Sequence, residues 1–162
     1  MKKPSVSIIM GSQSDLGCIK ETMELLKVFN IGFEAKVLSA HRTPKELEAY
    51  VKKAQERSVK VFIAVAGGSA ALAGVIASHT ILPVIGIPIE TKSLKGLDSL
   101  LSTVQMPAGV PVGSMAIGSA GARNAAIFSA EILGISDKKI AARLAVYKER
   151  QRTRIKKTSL KF

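Results

Sequence analysis

Five short strand-like runs, each leaving through a turn into a stretch of helical periodicity, limit this 162-residue chain more than any other feature. Ser5 to Met10 is a β-branched run ending in Gly11-Ser12-Gln13-Ser14-Asp15. After it, Leu16, Ile19, Met23 and Leu26 recur at helical spacing, with Lys20, Glu21, Glu24 and Lys27 on the other face. Glu34 to Leu38 reads as a second strand. Thr43-Pro44-Lys45-Glu46 then offers an N-cap hydroxyl, a first-turn proline and a glutamate three residues after the cap, which opens a helix to about Arg57. Val61 to Ala66 is a third strand, Gly67-Gly68 a turn, and Ser69 to Ser78 a helix of small residues. Val84 to Ile87 is a fourth strand, followed by a loop and a helix near Leu94 to Val104. A fifth strand fits Val112 to Ile117, and a helix fits Ala122 to Leu133, which Gly134 is expected to end in a left-handed conformation. Ser136 is expected to cap a last helix whose apolar stripe is Ile140, Leu144 and Tyr147.

Strands that alternate with helices, most of them near-continuously apolar, predict a parallel sheet covered on both faces. With right-handed crossovers this is a three-layer α/β/α sandwich of flavodoxin-like type. The length suits one domain, residues 1–162, carrying a basic C-terminal helix and tail over 137–162. Residues 61–89 contain no Asp, Glu, Lys or Arg, yet Gly67, Gly68, Gly74, Pro83 and Pro88 break them into short pieces, so no membrane span is expected. The N-terminal apolar run is too short for a secretion signal, and the single cysteine, Cys18, cannot form an internal disulfide. A cytoplasmic protein is expected, with Cys18 as packing.

Net charge is +12, which admits nucleic acid, an anionic surface or anionic small molecules as partners. Ten basic and two acidic residues lie between Asp137 and Phe162, so the excess belongs mostly to the tail. Aromatics amount to 4% with no Trp, and no basic patch is interleaved with stacking side chains, so nucleic acid is not the expected partner. From Val61 to Ser136 the charged residues are only Glu90, Lys92, Lys95, Asp98, Arg123 and Glu131, few for a surface wholly in water. Part of this region is expected to be buried between subunits.

In an open parallel sheet ligands bind beyond the carboxyl ends of the strands, where strand order reverses. The turns there read Gly11-Ser12-Gln13-Ser14-Asp15, Ser39-Ala40-His41-Arg42, Gly67-Gly68-Ser69 and Glu90-Thr91-Lys92-Ser93. The first presents backbone N–H groups and hydroxyls at a helix N-terminus, suited to a phosphate, with Asp15 able to accept from sugar hydroxyls; alternatively Ser14 or Asp15 simply caps the helix. It is neither a P-loop nor a dinucleotide motif. The second turn pairs an imidazole, a side chain whose ordinary pKa of about 6.5 suits proton exchange near neutrality, with a guanidinium fork for phosphate. Gly67-Gly68 either admits a ligand close to the backbone or makes a tight turn. Gln105-Met106-Pro107 either supplies an amide or ends a helix. His79 reads as an ordinary helix-end residue, and with two histidines and no Cys-x-x-Cys no metal site is expected.

The strings Gly11-Ser12-Gln13-Ser14-Asp15, Ser39-Ala40-His41-Arg42-Thr43-Pro44, Ala66-Gly67-Gly68, Gly96-Leu97-Asp98-Ser99-Leu100 and Val104-Gln105-Met106-Pro107, in this order, resemble the N5-carboxyaminoimidazole ribonucleotide mutases of purine biosynthesis. The resemblance runs from Val6 to about Lys148. It implies a cofactor-free isomerase that moves a carboxylate from the exocyclic nitrogen to ring carbon C4 by decarboxylation, retention of CO2 and recarboxylation. It further implies His41 as general acid and base, Ser12 and Arg42 on the ribotide phosphate and Asp15 on the ribose. Ser14, Ser39, Gly67 and Gly68 would line the pocket, and the assembly would be a homo-octamer.

After Gly67-Gly68 the mutase pattern usually runs Ala-Ala-His-Leu-Pro-Gly, whereas Ser69-Ala70-Ala71-Leu72-Ala73-Gly74 has neither the His nor the Pro. The related carboxylase that uses aminoimidazole ribotide and free CO2 is the alternative, though its loop begins Gly-Arg-Ser, which Gly68 and Ala71 do not match. An alternative from another class is a non-catalytic nucleotide- or RNA-binding protein acting through the basic tail.

Overall fold

The computed structural model describes residues 3–158. Its strands are β1 (Val6–Met10), β2 (Phe33–Val37), β3 (Val61–Ala66), β4 (Val84–Pro88) and β5 (Gly113–Ser114). Its helices are α1 (Leu16–Val28), α2 (Pro44–Arg57), α3 (Leu72–Ser78), α4 (Leu97–Val104), α5 (Ser119–Gly134) and α6 (Lys138–Lys156), with a 3₁₀ turn at Gln13–Asp15 leading into α1. All strand pairs are parallel and the order is β2-β1-β3-β4-β5, the flavodoxin-like arrangement predicted from the alternation.

Side chains on a strand alternate between faces, and both faces of the central strands β1, β3 and β4 are covered, which is why these are almost wholly apolar, whereas the edge strand β2 carries Glu34 and Lys36 and is exposed from Ala35 to Val37. Val6, Ile8, Met10, Val61, Ile63, Val65, Ile85 and Ile87 point to one side, where Ile19 and Leu26 of α1, the alanines of α5 and Ile140 and Leu144 of α6 close the core. Ile9, Phe62, Ala64 and Val84 point to the other, under Leu47 and Val51 of α2 and Leu72 and Ile76 of α3. Tyr147 of α6 meets Phe29 edge-on, with ring centroids 5.3 Å apart.

Element boundaries depart from expectation where a cap had to be assigned. Gly134 does not end α5 in a left-handed turn; it is the last helical residue, and it packs near Ala141 of α6 with room for a Cβ at ordinary contact distance, 3.5 Å from Ala141 Cα. Ser136 does not cap α6. Asp137 does, its carboxylate accepting from Lys139 N at 2.8 Å and Ile140 N at 3.2 Å, while the Ser136 hydroxyl turns back to Leu133 O. Thr43 stands at the N-cap of α2 with Pro44 behind it, but its hydroxyl makes no capping bond because Ser39 occupies it.

The remaining differences are of length. α3 starts at Leu72, not Ser69, because Ala70 N and Ala71 N bond two residues back to Gly68 O and Ser69 O in a tight turn. α4 starts at Leu97 after Gly96, α5 starts earlier than expected at Ser119, and β5 contracts to the two residues that register with Ile85 and Gly86.

Candidate active site

β1 lies between β2 and β3 in the sheet, so its neighbours leave it in opposite chain directions and the crevice beyond their carboxyl ends is the switch point. The turns after these three strands close around a cavity of about 380 Å³, lined by Gly11, Ser12, Ser14, Asp15, Ser39, Ala40, His41, Arg42, Ala66, Gly67, Ser69, Ala71 and Leu72. This is the size range of small-molecule sites. A larger hollow of about 870 Å³ follows α6 from Lys148 to Thr158, but only that helix and its end line it, so no second wall converges on it.

The first turn is held by its own polar groups. Ser12 N donates to Asp15 Oδ2 at 3.2 Å and Ser14 N to Ser12 Oγ at 3.3 Å, and the one proton of Ser14 Oγ lies between Ser12 Oγ at 2.9 Å and Asp15 Oδ1 at 3.2 Å. Ser12 is therefore the residue that caps the 3₁₀ turn, and Asp15 stands before α1 with no capping bond of its own. Burial pushes the Asp15 carboxyl above its ordinary range, while the Ser14 hydroxyl and the Ser12 N–H pull it back. Cys18, one turn on, packs against the core, and burial together with Asp15 and Glu21 pushes its thiol up, away from the nucleophilic thiolate.

The second turn is knotted by Thr43: Ser39 N donates to Thr43 Oγ1 at 2.9 Å, Thr43 Oγ1 donates to Ser39 O, and Thr43 N donates to Ser39 O at 3.0 Å. Ser39 Oγ accepts from Arg42 N at 3.2 Å. This knot presents His41 and Arg42 at the surface of the pocket. Among the described residues neither side chain has a hydrogen-bond or ion-pair partner. An exposed imidazole and an unpaired guanidinium fork facing one crevice are free to meet an anionic ligand.

The third turn divides its work. Gly67 lines the cavity, whereas Gly68 does not: its backbone stands at φ 67° and its N–H goes to Ser99 Oγ of α4. Seven of the eight residues singled out from sequence, Ser12, Ser14, Asp15, Ser39, His41, Arg42 and Gly67, thus share one cavity. Ser69, which the sequence placed in the same turn, and Ala71 and Leu72 of the loop that departs from the family pattern, to which no site role was given, also line the cavity. The displacement of the α3 start to Leu72 is what puts them there. Gln105 ends α4 outside the cavity, and His79 ends α3 as expected.

Residues 5–154 match the profile of AIR carboxylase. The chain belongs to the AIR carboxylase family. It is 51% identical over 157 residues to the N5-carboxyaminoimidazole ribonucleotide mutase of Saccharolobus solfataricus, covering 97% of this chain and 98% of that relative. It is 53% identical over 146 residues to the mutase of Pyrococcus horikoshii, covering 90% and 81%. The crystal structure of Treponema denticola PurE superposes with a TM-score of 0.87 at 30% identity, covering 94% of each chain. An AIR carboxylase family fold over nearly the whole chain agrees with the sheet order and the crevice described above.

Proposed function

We propose that this chain is an N5-carboxyaminoimidazole ribonucleotide mutase of purine biosynthesis. The observation that carries the reading is the identity of about half of all positions, over essentially full length, with curated mutases. The pocket supports it chemically: it holds one imidazole, one guanidinium fork, one carboxyl and several hydroxyls, a set that suits a phosphorylated sugar bearing a small heterocycle.

In this reading Arg42 and the Ser12 hydroxyl hold the ribotide phosphate, the first by a bidentate charged contact and the second at the start of the turn leading into α1. Asp15 accepts from the ribose hydroxyls, and Ser14, Ser39 and Gly67 complete the lining. Gly68 serves it from behind. The exocyclic N–COO⁻ bond breaks to release CO2, and His41 delivers a proton to the nitrogen. Ring carbon C4 then attacks the same CO2 and His41 removes the C4 proton, so one imidazole acts first as acid and then as base. The reaction uses only these side chains and no cofactor.

A homo-octamer, with a cytoplasmic location, completes the proposal. Leu94, Leu97, Leu101 and Val104 on and before α4 are each about half exposed, and Ile81 and Ile135 nearly fully so, which suits a surface covered by other copies.

The test supplies the N-carboxylated ribotide in CO2-depleted buffer, and separately aminoimidazole ribotide with bicarbonate. Rapid formation of the C4-carboxylated ribotide from the first is expected. Turnover only with the second would make the chain a carboxylase, and silence with both would refute the enzymatic reading.

A further inference from the structure

Two strings of the family resemblance, Gly96–Leu100 and Val104–Pro107, supply no residue to the pocket; they form α4 and its end. Their contacts give them a different task. Ser99 is fully buried, and its hydroxyl donates to Ile89 O at 2.7 Å while accepting the Gly68 N–H at 2.9 Å. It joins the exit of β4 to the turn after β3, the turn that presents Gly67, Ser69 and Ala71 to the cavity. A hydroxyl has one proton, and because Ile89 O takes it, the lone pairs are left to face Gly68. Ser102 Oγ also lies 3.4 Å from Gly68 O, but its proton goes to Asp98 O at 2.8 Å, so Ser99 carries the bond to this turn from α4.

α4 is in turn clamped so that Ser99 cannot drift. Thr91 Oγ1 donates to Asp98 Oδ1 at 2.8 Å and accepts the Gly96 N–H at 3.3 Å. Gly96 stands at φ 88°, and a Cβ there would lie 2.8 Å from Ile117 Cγ2 and 3.1 Å from Glu90 Cα, so side chains are excluded by conformation and by space. At the other end Thr103, 3% exposed, lies over Gly86 of β4 and donates to Ser99 O at 2.7 Å.

We propose that Ser99 is a positioning residue: its hydroxyl, oriented by Ile89 O, fixes the Gly67–Gly68 turn and with it the wall made by Gly67, Ser69 and Ala71. The functional half of this inference rests on the mutase reading. There, CO2 formed by cleavage of the N–C bond must stay in the pocket until C4 attacks it, and a wall free to drift lets it escape, leaving aminoimidazole ribotide as a side product.

The test is Ser99→Ala in the full chain, with two readouts. Amide exchange across residues 66–71 should rise by about tenfold or more, while the core strand 61–65 stays as in wild type. The fraction of turnovers ending in aminoimidazole ribotide and free CO2 should rise, with KM for the N-carboxylated ribotide within about threefold, because the phosphate and ribose contacts come from the other two turns. Unchanged exchange over 66–71, or an equal rise over 61–65, overturns the positioning role. Local loosening without added CO2 release overturns the functional half. If the wild-type chain shows no mutase turnover, the mutase reading falls, and the exchange readout alone still decides whether Ser99 holds the turn.

Discussion

Alanine at Gly86 would set the packing of α4 against the sheet in direct conflict with a methyl group. A Cβ there lies 2.3 Å from Thr103 Cγ2, 3.2 Å from Val112 Cγ1 and 3.4 Å from Ala73 Cβ. Carbon atoms pack at about 3.5–4.0 Å, so the first contact demands a shift of more than about 1 Å. Neither side yields easily. Gly86 is buried in β4 and paired with Ala64 on one flank and Ser114 on the other. Thr103 cannot rotate its methyl away without moving the hydroxyl that bonds Ser99 O. Overpacking costs about 1–3 kcal/mol, and with both partners held the upper end applies, about 3 kcal/mol. For a chain of this length that lowers Tm by roughly 6–12 °C. The assay is thermal unfolding at matched protein concentration, since self-association raises apparent stability. Thr103→Ser removes Cγ2 and keeps the hydroxyl, at a cost of about 1 kcal/mol alone. Combined with Gly86→Ala it should recover at least about 1 kcal/mol relative to Gly86→Ala alone. Additive losses, or a Gly86→Ala Tm equal to wild type, would refute the reasoning.

His41→Asn should lower kcat at least about 100-fold while ribotide affinity stays within a few-fold; turnover near wild type would remove His41 from proton transfer. Arg42→Ala should raise KM about 10- to 100-fold, and an unmoved KM in steady-state kinetics would mean the phosphate sits elsewhere. The Tyr50 phenol, bonded to Ser7 Oγ at 2.7 Å and donating to Glu34 Oε1 at 2.8 Å, is pushed up to about 12, chiefly by burial, with Ser7 pulling it down and Glu34 pushing it up. Since the folded value lies above the ordinary one near 10, its contribution is fully present below pH 10 and is lost as pH rises through 12. After discounting for solvent screening it amounts to about 1 kcal/mol. Urea unfolding at pH 9 and 11.5 should show a smaller alkaline loss for Tyr50→Phe than for wild type, and equal losses would refute it. Removing residues after Gln151 takes away five basic and no acidic residues. Turnover in the same assay should stay within about twofold, because residues 152–158 bond only to neighbours such as Glu149 and Thr153; a large loss would show that the tail serves the site.

The strand and helix bodies were legible because their signals are local. Val61–Ala66 and Pro44–Arg57 match expectation at both ends, the one bounded by burial on two faces and the other opened by a proline that can stand only in a first turn. The pocket was legible for a related reason: the turns after β1, β2 and β3 are contiguous in sequence, and the parallel sheet brings all three to one end. The helix caps were less so. Thr43, Ser136 and Gly134 each have the residue type for the role expected of them, yet Ser39 occupies the Thr43 hydroxyl, Asp137 caps α6 in place of Ser136, and α5 runs through Gly134 to a right-handed Ile135.

By itself the sequence determined the alternation, and through it the layers, the parallel pairing and the end of the sheet at which His41, Arg42, Ser12 and Asp15 gather. These follow from side-chain period and backbone sterics, which act between near neighbours. Tertiary structure decided which donors meet which acceptors. That Gly67 faces the cavity while Gly68 turns to Ser99, 31 residues away, appears in no local pattern. A buried N–H takes whichever acceptor packing brings within reach, and that choice exists only once the helices have closed on the sheet.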